Sequence, residues 1–308
     1  MSMSLDEIGV STKTIIGKTN WKININELFN ILPVTEYNAI LKKRGRRPKN
    51  EKKQEIQALN NGDIITLKLG DKIRGVNLKQ NKKNSKAFFR NSLTMVIQTQ
   101  GKLVNMKISQ NGRIQITGTK TSENAEKCIE YIHQYVADAQ NGKALNVFGA
   151  SKTPEIYLVS VMTNINFSLG FNVNRENLDE YINNNTPYYS LLETSFGYTG
   201  VNIKMQLENM DNIPVRKMMF VDGKWNYETI KYSEYVSTMD VKEKEKEGRK
   251  VRYSTFLCFQ SGNVICSSAH EDCMIETFKE FMKIIESCKS KIQEKITPSG
   301  GITSSTSK

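Results

Sequence analysis

The side chains that do chemistry are unevenly supplied in this chain. Two histidines, His133 and His270, and five cysteines, Cys128, Cys258, Cys266, Cys273 and Cys288, are its whole stock of imidazoles and thiols. No two of the cysteines form a CxxC pair of the kind that clips zinc, so they read as buried or half-buried free thiols of a reducing compartment. A histidine-based metal or catalytic centre is poorly supplied, although one histidine could act alone. No cofactor and no metal are expected. The abundant chemistry is cationic: the formal net charge is +12 over 308 residues. That balance points to a polyanionic partner, nucleic acid before an anionic membrane surface. The densest basic run, from Lys42 to Lys53, holds eight Lys or Arg and one acid in twelve residues.

The elements that must position these charges belong to an ordinary globular chain, 38% hydrophobic and 25% charged, which excludes a fibrous or wholly disordered protein. No stretch approaches the roughly 18 to 20 consecutive apolar residues that a membrane helix needs. Met1 to Val10 lack a basic flank followed by an apolar run, so neither a membrane span nor a secretory leader is expected. Organisation comes from an internal repeat. Residues 106–136 align without gaps on 256–286, an offset of 150, with Gln110, Gly112, Ile114 and Thr117 meeting Gln260, Gly262, Val264 and Ser267. Further on, Ala125, Cys128, Tyr131, Ile132 and Tyr135 meet Ile275, Phe278, Phe281, Met282 and Ile285 at helical spacing. Each copy reads as a strand, a tight turn at Asn111-Gly112 or Ser261-Gly262, a second strand and an amphipathic helix. The repeat extends upstream, where strand runs at Thr12–Trp21 and Ile156–Phe171 lead into helices bearing Leu28, Ile31 and Leu32 or Leu178, Tyr181 and Ile182. Two half-sheets of this kind, each with helices on one face, can join edge to edge and leave the other face open.

These residues resemble the TATA-binding protein family, and in particular its divergent relatives in large nucleocytoplasmic DNA viruses. The family's hairpin, roughly aliphatic-Ile-Phe-x-Ser-Gly-Lys-x-x-x-Thr-Gly-Ala-Lys, is similar to Leu257-Cys258-Phe259-Gln260-Ser261-Gly262-Asn263 and to Asn111-Gly112-Arg113-Ile114-Gln115-Ile116-Thr117-Gly118-Thr119-Lys120. Tyr198-Thr199-Gly200-Val201-Asn202-Ile203-Lys204-Met205 resembles the family's Phe-Pro-Gly-Leu-Ile-Tyr-Arg-Met. The resemblance implies an α+β saddle: two tandem repeats forming one curved antiparallel sheet of about ten strands, related by a pseudo-twofold axis, with four main helices on the convex face. Residues 1–145 would be the first repeat, 146–293 the second and 294–308 a disordered tail.

The resemblance also implies that the concave sheet lies in the minor groove of AT-rich double-stranded DNA, and strand alternation then picks the residues that face it. They are Lys107, Ser109, Gln115 and Thr117 in the first copy and Tyr198, Leu257, Phe259, Ile265 and Ser267 in the second. Tyr198 and Phe259 match the family's apolar wedge pair, whereas the first copy has no aligned aromatic, Phe88 and Phe89 falling too early. Arg113, Lys120 and Lys204 match basic phosphate contacts; Asn263 and His270 replace lysines. A solvated rim for the basic residues and ordinary sheet packing for Phe259 are the plainer readings.

Two insertions depart from a minimal saddle. One, about residues 33–86, carries the basic run, within which Arg44-Gly45-Arg46-Arg47-Pro48 resembles the core of an AT-hook, an arm for narrow minor grooves; a nuclear-targeting signal or chance reads the same residues. The other, about 206–252, contains the strand-turn-strand signal Phe220–Trp225 and the charge run Val241–Lys250, read as a solvated loop. The function implied is a transcription initiation factor, not an enzyme, since no acidic triad or helix-hairpin-helix signature accompanies the repeats. It would work with a transcription factor IIB-like factor and polymerase machinery in the host cytoplasm or nucleus of an infected cell, or be packaged in the virion. Leu192–Gly197 keeps only Glu193 where the family's acidic partner-docking loop lies. The alternative is an architectural or packaging protein that retains the saddle without promoter-specific bending.

Overall fold

Two glycine turns organise the hairpins. Gly112 and Gly262 have φ of 78° and 76°, a region that costs any residue with a side chain. A Cβ on Gly112 would stand 2.4 Å from the Trp21 carbonyl oxygen, and one on Gly262 2.0 Å from that of Phe171. The chain lies that close because each turn is stitched to the end of the neighbouring strand: Thr19 N–H donates to Gly112 O at 3.1 Å and Leu169 N–H to Gly262 O at 2.8 Å. The computed structural model describes residues 5–37, 58–77, 91–140, 147–149, 153–192, 199–208 and 210–294.

Among them the element order is β1 (Val10–Thr19), α1 (Ile25–Ile31), β2 (Ile64–Leu69), β3 (Lys72–Gly75), β4 (Ser92–Thr99), β5 (Lys102–Ser109), β6 (Arg113–Thr119) and α2 (Ser122–Gln140). Then follow β7 (Glu155–Ser168), α3 (Arg175–Asn185), β8 (Tyr189–Leu192), β9 (Gly200–Gln206), β10 (Pro214–Val221), β11 (Lys224–Lys231), α4 (Tyr232–Ser237), α5 (Val241–Gly248), β12 (Tyr253–Phe259), β13 (Asn263–Ser268) and α6 (Glu271–Ile292). The architecture is α+β, one antiparallel sheet with a few helices. It has thirteen strands rather than about ten, in the order β3-β2-β4-β5-β6-β1-β7-β13-β12-β9-β8, with β10 and β11 branching from β7. β2 and β3 lie inside the stretch read as a basic insertion and pair into the sheet. The alternating charge run is not a loop: it forms α5, capped by Asp240 accepting from the Glu243 N–H.

Alternation along β7 shows how the faces are used. Ile156 and Leu158 enter a core beneath α1 and α2 with Leu28, Ile116, Cys128 and Ile132. Past an irregularity in the β1 pairing, Ile165 and Phe167 enter a second core with Phe256, Phe278 and Phe281 beneath α3 and α6. Phe256 and Phe281 stack with centroids 4.2 Å apart, filling volume that smaller side chains would leave as a void. Val159 points to the opposite face, where it is buried with Ile213, Val215, Tyr232 and Tyr235. The insertion 206–252 therefore hooks back and seals a third, smaller core on the face that the main helices leave uncovered.

Candidate nucleic-acid interface

The uncovered face of the second half is a ladder of cross-strand rows. One row runs Leu191–Asn202–Leu257–Ile265–Asn166 and its neighbour runs Tyr189–Lys204–Thr255–Ser267–Asn164. A third begins with Phe259 opposite Gly200. These positions face away from the core because their strand neighbours Val201, Ile203, Phe256, Cys258, Val264 and Cys266 fill it. Leu191 is 49% exposed and Tyr189 60% on the edge strand β8, while Leu257 and Ile265 further in are half-buried.

Gly200 makes the close fit at its edge: a Cβ there would meet Leu257 Cδ1 at 2.7 Å. Phe259 is half-buried and lines an open hollow of about 780 Å³ with Asn166, Ser168, Ser261 and Asn263. Lys204 is exposed, its Nζ 6.0 Å from the centroid of the Tyr253 ring. The side-chain oxygens of Asn164 and Asn202 are buried without a hydrogen-bond partner among the described residues. An unmet polar group of this kind costs about 1–3 kcal/mol.

The uncovered face of the first half is chemically different. The corresponding row is Thr94–Lys107–Gln115–Ile16–Val159, beside Asn105–Thr117–Thr14. Ser109 pairs with Ser92 on β4. This half offers hydrogen bonds and charge where the other offers an apolar stripe. Arg113 is exposed and opens β6 beside the Gly112 turn, opposite Lys18, which in turn pairs with Tyr157. Lys120 is exposed after β6; partial burial and the charge of Lys120 lower the pKa of Lys102.

The sequence-derived residues thus separate into groups. Leu257, Phe259, Ile265, Ser267 and Lys204 share the uncovered face of the second half, and Lys107, Ser109, Gln115, Thr117 and Arg113 that of the first. Tyr198, Glu193, the basic run Lys42–Lys53 with Arg44, Gly45, Arg46, Arg47 and Pro48, and the tail after Glu294 lie outside the described residues. Sequence reasoning missed Tyr189, Leu191, Asn164, Asn166 and Asn202, which only the strand register brings into line.

The histidines and cysteines sit elsewhere. His133 packs under the sheet against Phe220 at 4.4 Å and Trp225 at 5.1 Å, where burial lowers its pKa. His270 Nδ1 accepts the Asp272 N–H at 3.2 Å as the N-cap of α6. Cys128, Cys258, Cys266 and Cys288 are buried and Cys273 half-buried, all as free thiols; burial pushes Cys128 and Cys266 up to about 12.

Two known proteins are similar to this chain. The chain is 28% identical over 238 residues, 74% of its own length and 69% of the relative's, to uncharacterized protein 335L of Invertebrate iridescent virus 6. Among solved structures it is similar to Methanococcus jannaschii TBP, with a TM-score of 0.44 and 14% identity over 91% of this chain and 98% of the other. No protein-family profile matches the chain.

Proposed function

We propose that this chain is a viral DNA-binding protein of the TATA-binding kind, which lays its uncovered, concave sheet face in the minor groove of AT-rich duplex DNA and acts in transcription initiation. The observation that carries the reading is the ladder of the second half. Leu191, Leu257 and Ile265 share a cross-strand row with Asn202 and Asn166, beside Lys204 and Asn164 in the next row, in a chain of net charge +12. Flat apolar contact with sugars and base edges, amides for the groove floor and cations for phosphates are the three ingredients of minor-groove binding.

Phe259 at the ladder's end supplies a ring that can enter a base step, and by the family resemblance Tyr198 is the second wedge. Lys107, Arg113, Lys120 and Lys204 contact phosphates. The strand orders outward from β1 and β7, namely β6, β5, β4, β2 and β13, β12, β9, β8, support a pseudo-twofold relation between the halves. The viral assignment rests on the iridescent-virus relative. A factor IIB-like protein and polymerase are the partners that fit an initiation role.

The polar first half and the insertion seated against Val159 favour a second reading, an architectural protein that holds DNA without kinking it at both ends. Equilibrium binding and end-to-end fluorescence transfer on AT-rich and GC-rich duplexes at equal salt separate the two. Preference for AT-rich DNA with bending supports the initiation reading. Equal affinity and straight DNA support the architectural one, and absence of duplex binding removes both.

A further inference from the structure

Helix α5 turns two glutamates inward. Of its eight residues only Glu243 and Glu247 are half-buried, and they are one turn apart on one face. Glu247 anchors the helix: it accepts hydrogen bonds from Lys250, Tyr232 and Arg252. Glu243 instead reaches across to the sheet and ion-pairs with Lys18. Lys18 belongs to the uncovered face, in the row Tyr157–Lys18–Arg113, and the charges of both Glu243 and Arg113 are felt at Tyr235, whose ring lies 5.4 Å from that of Tyr157. A carboxylate of this chain therefore stands at a corner where two cations of the sheet face outward.

We propose that Glu243 occupies the place of a nucleic-acid phosphate at the Lys18–Arg113 corner, an internal competitor that keeps Lys18 from the duplex as long as the carboxylate is present. The inference rests on reading the uncovered face as the DNA-binding face. Carboxylate and phosphate offer the same charge-assisted acceptors to an ammonium group. The side chains of Lys18 and Glu243 remain 41% and 44% exposed, so the pair is solvated and exchangeable. The helix carrying Glu243 does not need to swing away, because Val159, Val215, Tyr232 and Tyr235 at its base are buried. Release of Lys18 therefore needs only a side-chain change, and with Glu243 in place Lys18 makes no phosphate contact.

The test is fluorescence-anisotropy titration of an AT-rich duplex over a salt series with wild type, Glu243→Gln, Glu245→Gln, Lys18→Gln and the Glu243→Gln/Lys18→Gln pair. Each released phosphate contact steepens the log Kd against log salt slope by about 0.9. The expected result is tighter binding by Glu243→Gln, with a slope steeper by about that amount, cancelled in the double variant. Glu245→Gln, which removes the same charge from the exposed side of α5, and Lys18→Gln, whose ammonium is already taken, keep the wild-type slope. Equal effects of Glu243→Gln and Glu245→Gln, a gain that survives loss of Lys18, or a lowered slope in Lys18→Gln alone each overturn the competitor while leaving DNA binding intact. Absence of duplex binding in every protein overturns the DNA-binding reading and the competitor with it.

Discussion

Replacing Phe259 with alanine should separate bending from binding. The ring is half-buried at the end of β12, and a phenylalanine buries roughly 150–250 Å² when covered. About 100 Å² is then left for DNA, which at about 25 cal/mol per Å² amounts to about 2.5 kcal/mol, in line with the ~1–3 kcal/mol of an aromatic ring stacked on a base. Unstacking a base step costs a few kcal/mol, so without the ring nothing local offsets it. Phe259→Ala should weaken binding of an AT-rich duplex by about 2 kcal/mol, roughly thirtyfold in Kd, and abolish the rise in fluorescence transfer between dyes at the duplex ends. Ser109→Ala, at the matching position of the first half, should stay within about 0.5 kcal/mol and leave bending unchanged. Because half of the Phe259 ring already packs in the free protein, a melting curve must show that the variant is folded. Bending that persists in folded Phe259→Ala, or equal losses from both substitutions, would refute the assignment of the wedge to the second half.

The remaining predictions concern charge, backbone and pH. Deleting Lys42–Lys53 should lower the salt slope of duplex binding while the far-ultraviolet circular dichroism of the sheet stays unchanged; an unchanged slope means that the run makes no phosphate contact. Gly262→Ala should cost more than about 2 kcal/mol in urea unfolding, from positive φ and the Phe171 carbonyl oxygen at 2.0 Å. Gly223→Ala, with φ of 75° and open space around it, should lose only about 1 kcal/mol, and equal losses would refute the steric argument. Burial raises the Glu247 carboxyl pKa, but hydrogen bonds from Lys250, Tyr232 and Arg252 outweigh it and bring it to about 2. Since its folded pKa lies below the unfolded value, its contribution is present above about pH 5 and is lost as pH falls toward 2. Glu247→Gln should therefore flatten the acid limb of the stability curve, and an acid limb identical to wild type contradicts this.

Much of the fold is legible in the sequence because its signals are local. Asn111-Gly112 and Ser261-Gly262 announce their hairpins, and Phe278, Phe281 and Ile285 announce the buried stripe of α6. What is not legible depends on distant partners. The run Val241–Gly248 has no apolar face, so its helix is set by Asp240 at its start and by Lys18 and Arg252 reaching its two inward glutamates. Ile64-Ile65-Thr66-Leu67 is a plain strand sequence, obscured by the polar and basic residues upstream, and its membership of the sheet follows from pairing with β4. Asn164, Asn166 and Asn202 carry no signal in a chain rich in asparagine; only the register of β7, β13, β12 and β9 ranks them beside Leu257 and Ile265. The placement of α4 on the uncovered face hangs on Tyr232 and Tyr235 meeting Val159, more than seventy residues away.

The central claim, that the uncovered face of the second half grips DNA, is tested most directly by one titration. Leu257→Glu puts a carboxylate in the middle of the apolar row without entering the core, since Leu257 points away from the Phe256 side of β12. Binding of an AT-rich duplex by wild type should weaken steeply with salt, and Leu257→Glu should lose it while melting at the wild-type temperature. Undiminished, salt-sensitive binding by folded Leu257→Glu would place the DNA on another surface and contradict the account.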